Sequence, residues 1–338
     1  MAPLFGGCSR TLGKKEGISI MPRYIAVRIL WLIPIIICVS FIIFALMDLA
    51  PGTYVDLMKG DQMTQEDIDV LMERYGLDKP MMYRYGVYML GLVQGNLGIS
   101  LTTGSPVWEM YISRFPRTLE IAFIGLAIGL VVAVPLGIIA AKFAGTIWDN
   151  IITVFSMFGM AMPIFWFGLL LMVVFSVNLK VLPAGYDGTW KCYIMPCISI
   201  AMVMAGQIAR QTRSSMLEVM RQDYLRTARS KGVSEIRVTT RHTLRNAWIP
   251  VITSIGMSLS RTIAGSAVIE AVFTWPGVGM MTILSVNNRD TPLATGCVIM
   301  TAIMYVVLLM IVDILYAFFD PRIRAQYASV RRRRRVAA

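Results

Sequence analysis

Long apolar runs alternate with polar segments over most of the chain. Six of the runs predict membrane-spanning helices, because about 20 apolar residues in a helix cross the hydrocarbon core of a bilayer. The fourth run is short and continues into a polar helical pattern. The predicted spans are residues 29–47, 119–141, 151–177, 195–208, 248–269 and 293–318.

Prolines interrupt two of the predicted spans. Pro135 lies in the second span and Pro163 in the third. A proline inside a span frees backbone groups and kinks the helix, which is tolerated where neighbouring helices or a water-filled cavity satisfy those groups. We therefore expect a kink at each of these two positions.

The largest polar segment, residues 48–117, contains local helical patterns. Thr64 and Asp67 are spaced as in a capping box, and Gly76 closes the apolar helical face that follows. Pro80 is placed to open a second helix with its own apolar face. The predicted faces consist of Ile68, Leu71, Met72 and Tyr75 in the first helix and Met81, Tyr85, Tyr88, Met89 and Leu92 in the second.

The composition, which is 56% hydrophobic, excludes an ordinary soluble domain. The net charge of +12 lies mostly beside the apolar runs, so membrane topology explains it and no nucleic-acid partner is expected. The excess of Lys and Arg places the loop 210–246 and both termini in the cytoplasm, and the acid-rich segment 48–117 outside. The predicted organisation is an N-terminal segment 1–23, a transmembrane region 24–325 and a basic tail 326–338 that either binds anionic lipid or only anchors the topology.

The longest polar run of the second half lies between the fourth and fifth predicted spans. Ser214–Ser230 contains no Gly or Pro and predicts one helix, with Gly232 as its C-cap and Ser234 as the N-cap of the next helix. Ala228 and Gly232 are four residues apart and form a small-residue spot that another backbone can approach. Spacing alone leaves two interpretations open, a surface that docks a partner protein and a solvated basic loop that only fixes the topology.

A resemblance to a known family lies in this run, in the stretch DYLRTARSKGVSEIRVTTRHTLRNAWIP. It resembles the cytoplasmic signature loop of permease subunits of ABC importers, and most of all that of the peptide and nickel branch. Ala228 and Gly232 match the Ala and Gly of the general pattern, whereas Arg226 takes the place of its Glu and Arg245 that of its Pro. The motifs typical of the branch, Y-x-R-T-A-R-x-K-G and R-H-x-L-R-N, fit at 224–232 and 241–246.

Two further blocks carry the same resemblance. AVIEAVFTWPGVGMM with NNRDTP, within residues 267–292, resembles the family's E-x-x-F-x-W-P-G-x-G and R-D-x-P. IVDILYAFFDPRIR, residues 311–324, resembles its closing D-x-L-Y-x-x-x-D-P-R-x-R. The resemblance covers 21–324, so residues 1–20 are either an extension or an early assigned start. The segment 48–117 resembles the family's extracytoplasmic insertion, either a cap or binding-protein contact near the gate or a packed loop over the span ends.

The resemblance implies an all-α, multi-pass protein of the cell membrane with the six-helix fold of type I ABC importer permeases. It implies a pathway for di- or oligopeptides, formed with a second related permease subunit and served by two ATP-binding cassette subunits and an extracytoplasmic substrate-binding protein. The same machine carrying nickel chelates, glutathione or another small solute is the alternative, and an ATP-independent channel or carrier is less favoured. In the family, the loop at 223–246 forms a coupling helix against the ATPase subunit. The residues implied in this coupling are Asp223, Tyr224, Arg226, Thr227, Ala228, Arg229, Lys231, Gly232, Arg241 and His242.

Motifs for covalent chemistry are absent from the sequence. No G-x-x-x-x-G-K-[ST] occurs, so we expect no enzyme activity and no cofactor in this chain, and ATP hydrolysis in separate subunits. His242, the one histidine, has no carboxylate or cysteine cluster around it, so no metal site is predicted. The 25 Met residues suit adaptable packing at helix interfaces. Cys192 and Cys197 either form a disulfide or remain free thiols.

Two charged residues in the region of the fifth span are candidates for the substrate pathway. Arg261 lies near the middle of the span, where a charge normally faces a polar cavity or a partner. One hypothesis is that it contacts a substrate carboxylate, and the other is a buried pair with Asp313 or with a partner permease. Glu270 matches the family's Glu, and we expect it to belong to the gate architecture rather than to contact substrate.

Overall fold

The computed structural model describes residues 12–58 and 64–319, and within them it leaves out the side chains of 12–28, Gln65, Ala264, Asp313 and 315–319. The tail 326–338 and residues 1–11 therefore lie outside the description, although helix already covers residues 12–23 of the predicted N-terminal segment. The described part is helical, with a single isolated antiparallel bridge between Ile99 and Pro106. The all-α prediction agrees with this architecture.

Fourteen α-helices occupy the described ranges. They are α1 (Leu12–Leu49), α2 (Tyr54–Met58), α3 (Gln65–Arg74), α4 (Met81–Val93), α5 (Val107–Lys142), α6 (Ile147–Ala161), α7 (Ile164–Leu171), α8 (Ile194–Met220), α9 (Asp223–Ser230), α10 (Glu235–Arg237), α11 (Leu244–Gly265), α12 (Ala267–Val272), α13 (Val278–Asn287) and α14 (Thr291–Phe319). Two π-helical segments, Met172–Asn178 and Val238–Thr243, extend α7 and join α10 to α11, and a short 3₁₀ turn, Trp190–Tyr193, precedes α8.

Four of these helices are long and apolar enough to cross a membrane, and α6 with α7 makes a fifth if the bent pair is one span. The four segments are Ile29–Leu49, Val107–Lys142, Trp190–Met220 and Thr291–Val312. Within the described residues, α11 does not join them, because Arg245, Arg261 and several Ser and Thr residues dilute its hydropathy. The predicted count of six spans is therefore not confirmed and stays a prediction.

The two predicted proline kinks differ in the structure. The third predicted span is broken at Met162–Pro163 into α6 and α7, which make an angle of 99°. Met162 has extended backbone angles, because a proline disfavours the helical region for the residue before it. α5, by contrast, continues through Pro135 as one helix, so the helix is not interrupted there, and the kink expected at Pro135 stays a prediction.

The segment 48–117 has the predicted helices. The Asp67 carboxylate accepts from the Thr64 backbone N–H at 3.0 Å, and the Asp67 backbone N–H donates to the Thr64 hydroxyl at 3.3 Å, which confirms the capping box. α4 begins directly after Pro80, as predicted, and its Tyr85 hydroxyl lies 3.0 Å from that of Ser40 on α1. The last part of the segment, 107–117, already belongs to α5.

α8 lies at the centre of the bundle and packs against α5, α6, α7 and α11. Glycines allow the backbones to approach closely there. A Cβ on Gly137 of α5 would lie 2.6 Å from the Ala209 carbonyl oxygen of α8, and one on Gly206 of α8 would lie 2.5 Å from the Ser156 carbonyl oxygen of α6. α8 is thus held between its two neighbours without room for an added methyl group.

Candidate coupling site

The basic loop begins where α8 ends. The single helix predicted over Ser214–Ser230 is wrong, because α8 stops at Met220 and α9 starts anew at Asp223. Gln222 between them has extended backbone angles. Asp223 then lies in the first turn of α9, where a carboxylate interacts favourably with the helix dipole. This acid was the signal in the sequence for a new helix start.

The end of α9 is fixed by Gly232. Its φ is +76°, its N–H donates to the Arg229 carbonyl at 2.9 Å, and the Val233 N–H donates to the Ala228 carbonyl at 3.3 Å. These two bonds form a Schellman motif, which requires a left-handed residue at this position. The predicted C-cap is therefore confirmed. Ser234 does precede α10, but its side chain makes no capping bond.

α9 is held to the rest of the protein by few contacts. Leu225 is fully buried and Ala228 is half-buried on the same face. The Tyr224 hydroxyl accepts a hydrogen bond of 2.7 Å from the Asn246 amide of α11. Arg229 pairs with Glu235 at 2.7 Å across the turn to α10. Leu225 is thus the buried apolar anchor of this short helix, and Tyr224 and Arg229 add polar contacts.

The opposite face of α9 and the turn after it are exposed and basic. Of the ten predicted coupling residues, only Ala228 and His242 are half-buried and the other eight are exposed. Tyr224 is 43% exposed and Ile236, which the sequence reasoning missed, is 74% exposed. Among the described side chains, Arg226, Lys231 and Arg241 have no ion-pair partner. The eight exposed residues together with Ile236 are hereafter called the α9 surface, and α9 and α10 both contact the π-helical segment that carries Arg241.

Glu270 lies far from this surface, in a buried network of α12. Its carboxylate accepts from the hydroxyls of Thr118 and Ser266 at 2.8 Å each and from the Met280 N–H at 3.0 Å. A Cβ on Gly277 would contact the same carboxylate, so a glycine is required there. Glu270 is fully buried, so the network ties α5, α12 and α13 together and leaves the carboxylate no open side.

Arg261 is not brought together with Glu270. It lies exposed on α11, and it makes no ion pair with any side chain in the described part of the chain. The Asp313 side chain, its predicted alternative partner, lies outside the description. Cys192 and Cys197 are both buried and free, with no bond between them.

Asp290 forms a second buried connection that the sequence reasoning missed. Its carboxylate accepts from the Ser100 hydroxyl at 2.6 Å and the Thr102 N–H at 3.0 Å, and it also accepts from the Leu293 N–H at 3.2 Å. The signal available in the sequence was an aspartate immediately before α14, which is typical of an N-cap. The other two groups that its carboxylate binds, in Ser100 and Thr102, are 190 and 188 residues away in the chain.

Comparison with known sequences decides the family. Residues 133–325 match the family described as "Binding-protein-dependent transport system inner membrane component", and residues 21–122 match its N-terminal counterpart, "Binding-prot-dependent transport system membrane comp, N-term". The chain belongs to this family. It is accordingly a multi-pass inner-membrane permease component and not an enzyme, and the family implies ATPase and substrate-binding partners.

Individual relatives and a solved structure agree with this assignment. The "Oligopeptide transport system permease protein AppB" of Bacillus subtilis (strain 168) is 39% identical over 314 residues, which are 90% of this chain and 99% of that protein. The "Glutathione transport system permease protein GsiC" of Escherichia coli O6:H1 is 36% identical over 304 residues, with the same coverage. A chain of the inward-facing MetNI methionine ABC transporter has a TM-score of 0.55 at 14% identity and covers 63% of this chain and 97% of its own length. The predicted permease family and type I importer fold are confirmed.

Proposed function

We propose that this permease subunit imports di- or oligopeptides and receives the ATP-driven motion through the α9 surface. The observation that carries the coupling role is the geometry of α9. It is a short helix at the end of the long rod α8, anchored by Leu225 on one side and exposing a basic face on the other. Exposed basic and apolar side chains together favour a protein partner over bulk water.

The ATPase is the proposed partner of this surface. Arg226 and Lys231 are exposed and lack an ion pair within the described residues, so both are available for acidic groups of another chain. Ile236, with 74% of its surface exposed, offers an apolar contact beside them in sequence. In the complete importer we propose a second related permease subunit, two ATP-binding cassette subunits and an extracytoplasmic binding protein. Both termini of this chain and the α9 surface lie in the cytoplasm, and the segment 48–117 lies outside.

The docking role is tested by charge reversal with a matched control. Arg241→Glu reverses a charge on the α9 surface at a residue that matches the branch motif, and Arg74→Glu makes the same change on exposed α3. The tagged chain is purified from native membrane in mild detergent and the co-purified ATPase activity is measured. We expect Arg241→Glu to lower this activity about tenfold or more, because like charges across an interface cost several kcal/mol, and Arg74→Glu to retain it.

Equal co-purification with Arg241→Glu and the unchanged chain would exclude the α9 surface as the docking site. If the unchanged chain brings down no ATPase and conducts solute alone in liposomes, the chain acts as a channel. That second outcome refutes the importer proposal itself and not only the location of its docking surface.

The peptide cargo rests on the names of relatives and is tested by uptake. One relative is named for oligopeptides and another for glutathione, which is why both solutes are compared. Cells with and without this chain are given labelled tri-alanine, and unlabelled dipeptides, glutathione or a nickel chelate compete. We expect dipeptides to compete more strongly than glutathione or the nickel chelate. If only glutathione or only the nickel chelate competes, that solute class is the cargo instead of peptides.

A further inference from the structure

An ion pair between a buried aspartate and a half-buried arginine joins α6 to α8 near the α9 surface. Both oxygens of the Asp149 carboxylate accept from Arg213, one from Nε at 2.5 Å and the other from Nη2 at 2.7 Å. The Gly145 N–H donates to the same carboxylate at 2.9 Å, and the Thr153 hydroxyl lies 3.4 Å from it. The Asp149 side chain is 4% exposed, and the Arg213 side chain is 31% exposed. A bidentate contact of this kind fixes the orientation of its two elements as well as their distance.

The pair sits at a junction of three helices. Asp149 and the Gly145 amide belong to the corner between α5 and α6, which comprises residues 143–150. Arg213 is on α8, seven residues before the helix ends at Met220, which is about 10 Å along the axis. α9 begins at Asp223, with two residues between it and α8, so the pair lies on the part of α8 that leads into α9.

Close packing on both sides of the ion pair limits sliding of α8 against α5 and α6. α8 meets α5 and α6 without space for a methyl group at Gly137 and Gly206. At its end, Met216 is fully buried in a small cluster with Ala141 of α5 and Ala247 of α11. α8 therefore has little room to shift without its neighbours, and the bidentate ion pair links its orientation to that of α6.

We propose that Asp149 and Arg213 are positioning residues that carry the displacement of α9 to the corner 143–150. This inference rests on the proposed function, since it needs an ATPase that moves α9. A pair that only contributes to folding is the competing explanation, and a buried ion pair is by itself weak evidence of stabilisation. A coupling role and a folding role differ in what the corner does when ATP binds.

The test is hydrogen exchange on the complex co-purified with the tagged chain, with and without ATP and vanadate. Exchange is followed in peptides that cover α9 and in peptides that cover 143–150. In the unchanged chain we expect ATP and vanadate to change the exchange rate of both segments. In Asp149→Asn, which keeps the size of the side chain and removes its charge, we expect α9 to respond as before and the response of the corner to fall at least about twofold.

Two further variants keep the result decisive if Asp149→Asn folds poorly. Arg213→Lys keeps the charge but cannot make both bonds, and we expect it also to reduce the corner's response. The exchanged pair Asp149→Arg with Arg213→Asp restores the attraction, and we expect it to recover part of the corner's response.

The outcomes separate the inference from the proposed function. If neither segment responds to ATP and vanadate in the unchanged chain, the proposed function fails. If α9 responds and the corner responds equally in the unchanged chain, Asp149→Asn and Arg213→Lys, the positioning role is refuted while the docking role stands.

Discussion

The backbone at Gly232 allows a prediction whose magnitude follows from the structure. An alanine there would meet no heavy atom within 4 Å, so substitution costs nothing through steric overlap. The cost is conformational: Gly232 has a φ of +76°, and a Cβ in this left-handed region is unfavourable by about 1–2 kcal/mol. This corresponds to a change of about 5- to 30-fold in the ratio of the capped to the frayed end of α9.

Two substitutions distinguish the conformational cost of a side chain at position 232 from the effect of filling the open space there. Gly232→Ala carries the full conformational cost, whereas Gly232→Asn adds a larger side chain but tolerates the left-handed region. Amide exchange in α9 and co-purified ATPase activity are measured for both variants. We expect Gly232→Ala to accelerate exchange about 5- to 30-fold and Gly232→Asn to accelerate it less. We expect Gly232→Ala to co-purify less ATPase activity than Gly232→Asn, because its α9 is more frayed.

An equal acceleration by Ala and Asn would refute the reasoning about the cap. If Asn leaves exchange intact but removes more ATPase than Ala does, the open space at Gly232 is itself part of the contact. The small-residue spot predicted from the spacing of Ala228 and Gly232 would then be the surface that the partner approaches.

Three other predictions concern sites outside the α9 surface. Gly277→Ala forces a methyl group onto the buried Glu270 carboxylate and is expected to lower the thermal unfolding temperature in detergent, whereas Gly265→Ala, which meets no atom within 4 Å, is not. Hydrogen bonds from the preceding N-cap threonine hold the pKa of Asp67 below its usual range. The stabilisation of α3 is therefore full above the ordinary Asp pKa and lost as pH falls through the lowered value, which amide exchange measures. Arg261→Gln is expected to leave thermal stability unchanged and to weaken uptake of tri-alanine; unchanged uptake of every tested substrate would end the pathway hypothesis.

Local patterns in the sequence were sufficient for several helix boundaries. The Thr64–Asp67 spacing, Pro80 and Gly232 each satisfy or restrict neighbouring backbone groups, so their effect is readable within a few residues. The signature motifs also identified the family. The start of α9 was missed because the apolar positions of α8 and α9 keep a helical spacing across Arg221 and Gln222.

The sequence pattern could not predict contacts between segments that are distant in the chain. Asp149 and Arg213 are 64 residues apart, and Thr118 and Glu270 are 152 apart. Nothing in their spacing pairs them, since the first pair follows from how α8 packs against α6 and the second from how α12 packs near α5. The break at Pro163 was foreseen as a kink, but its 99° angle depends on where α7 packs.

Binding of an ATPase to the α9 surface can be tested by photo-crosslinking in native membranes. A benzophenone amino acid replaces Ile236, which is 74% exposed on this surface, and as a control Val93, which is 85% exposed at the end of α4. After irradiation of native membranes, the crosslinked partners are identified by mass spectrometry. The account predicts a chain with an ATP-binding P-loop at position 236 and none at position 93. Crosslinks from position 236 to lipid alone, or to the same proteins as from position 93, would contradict it.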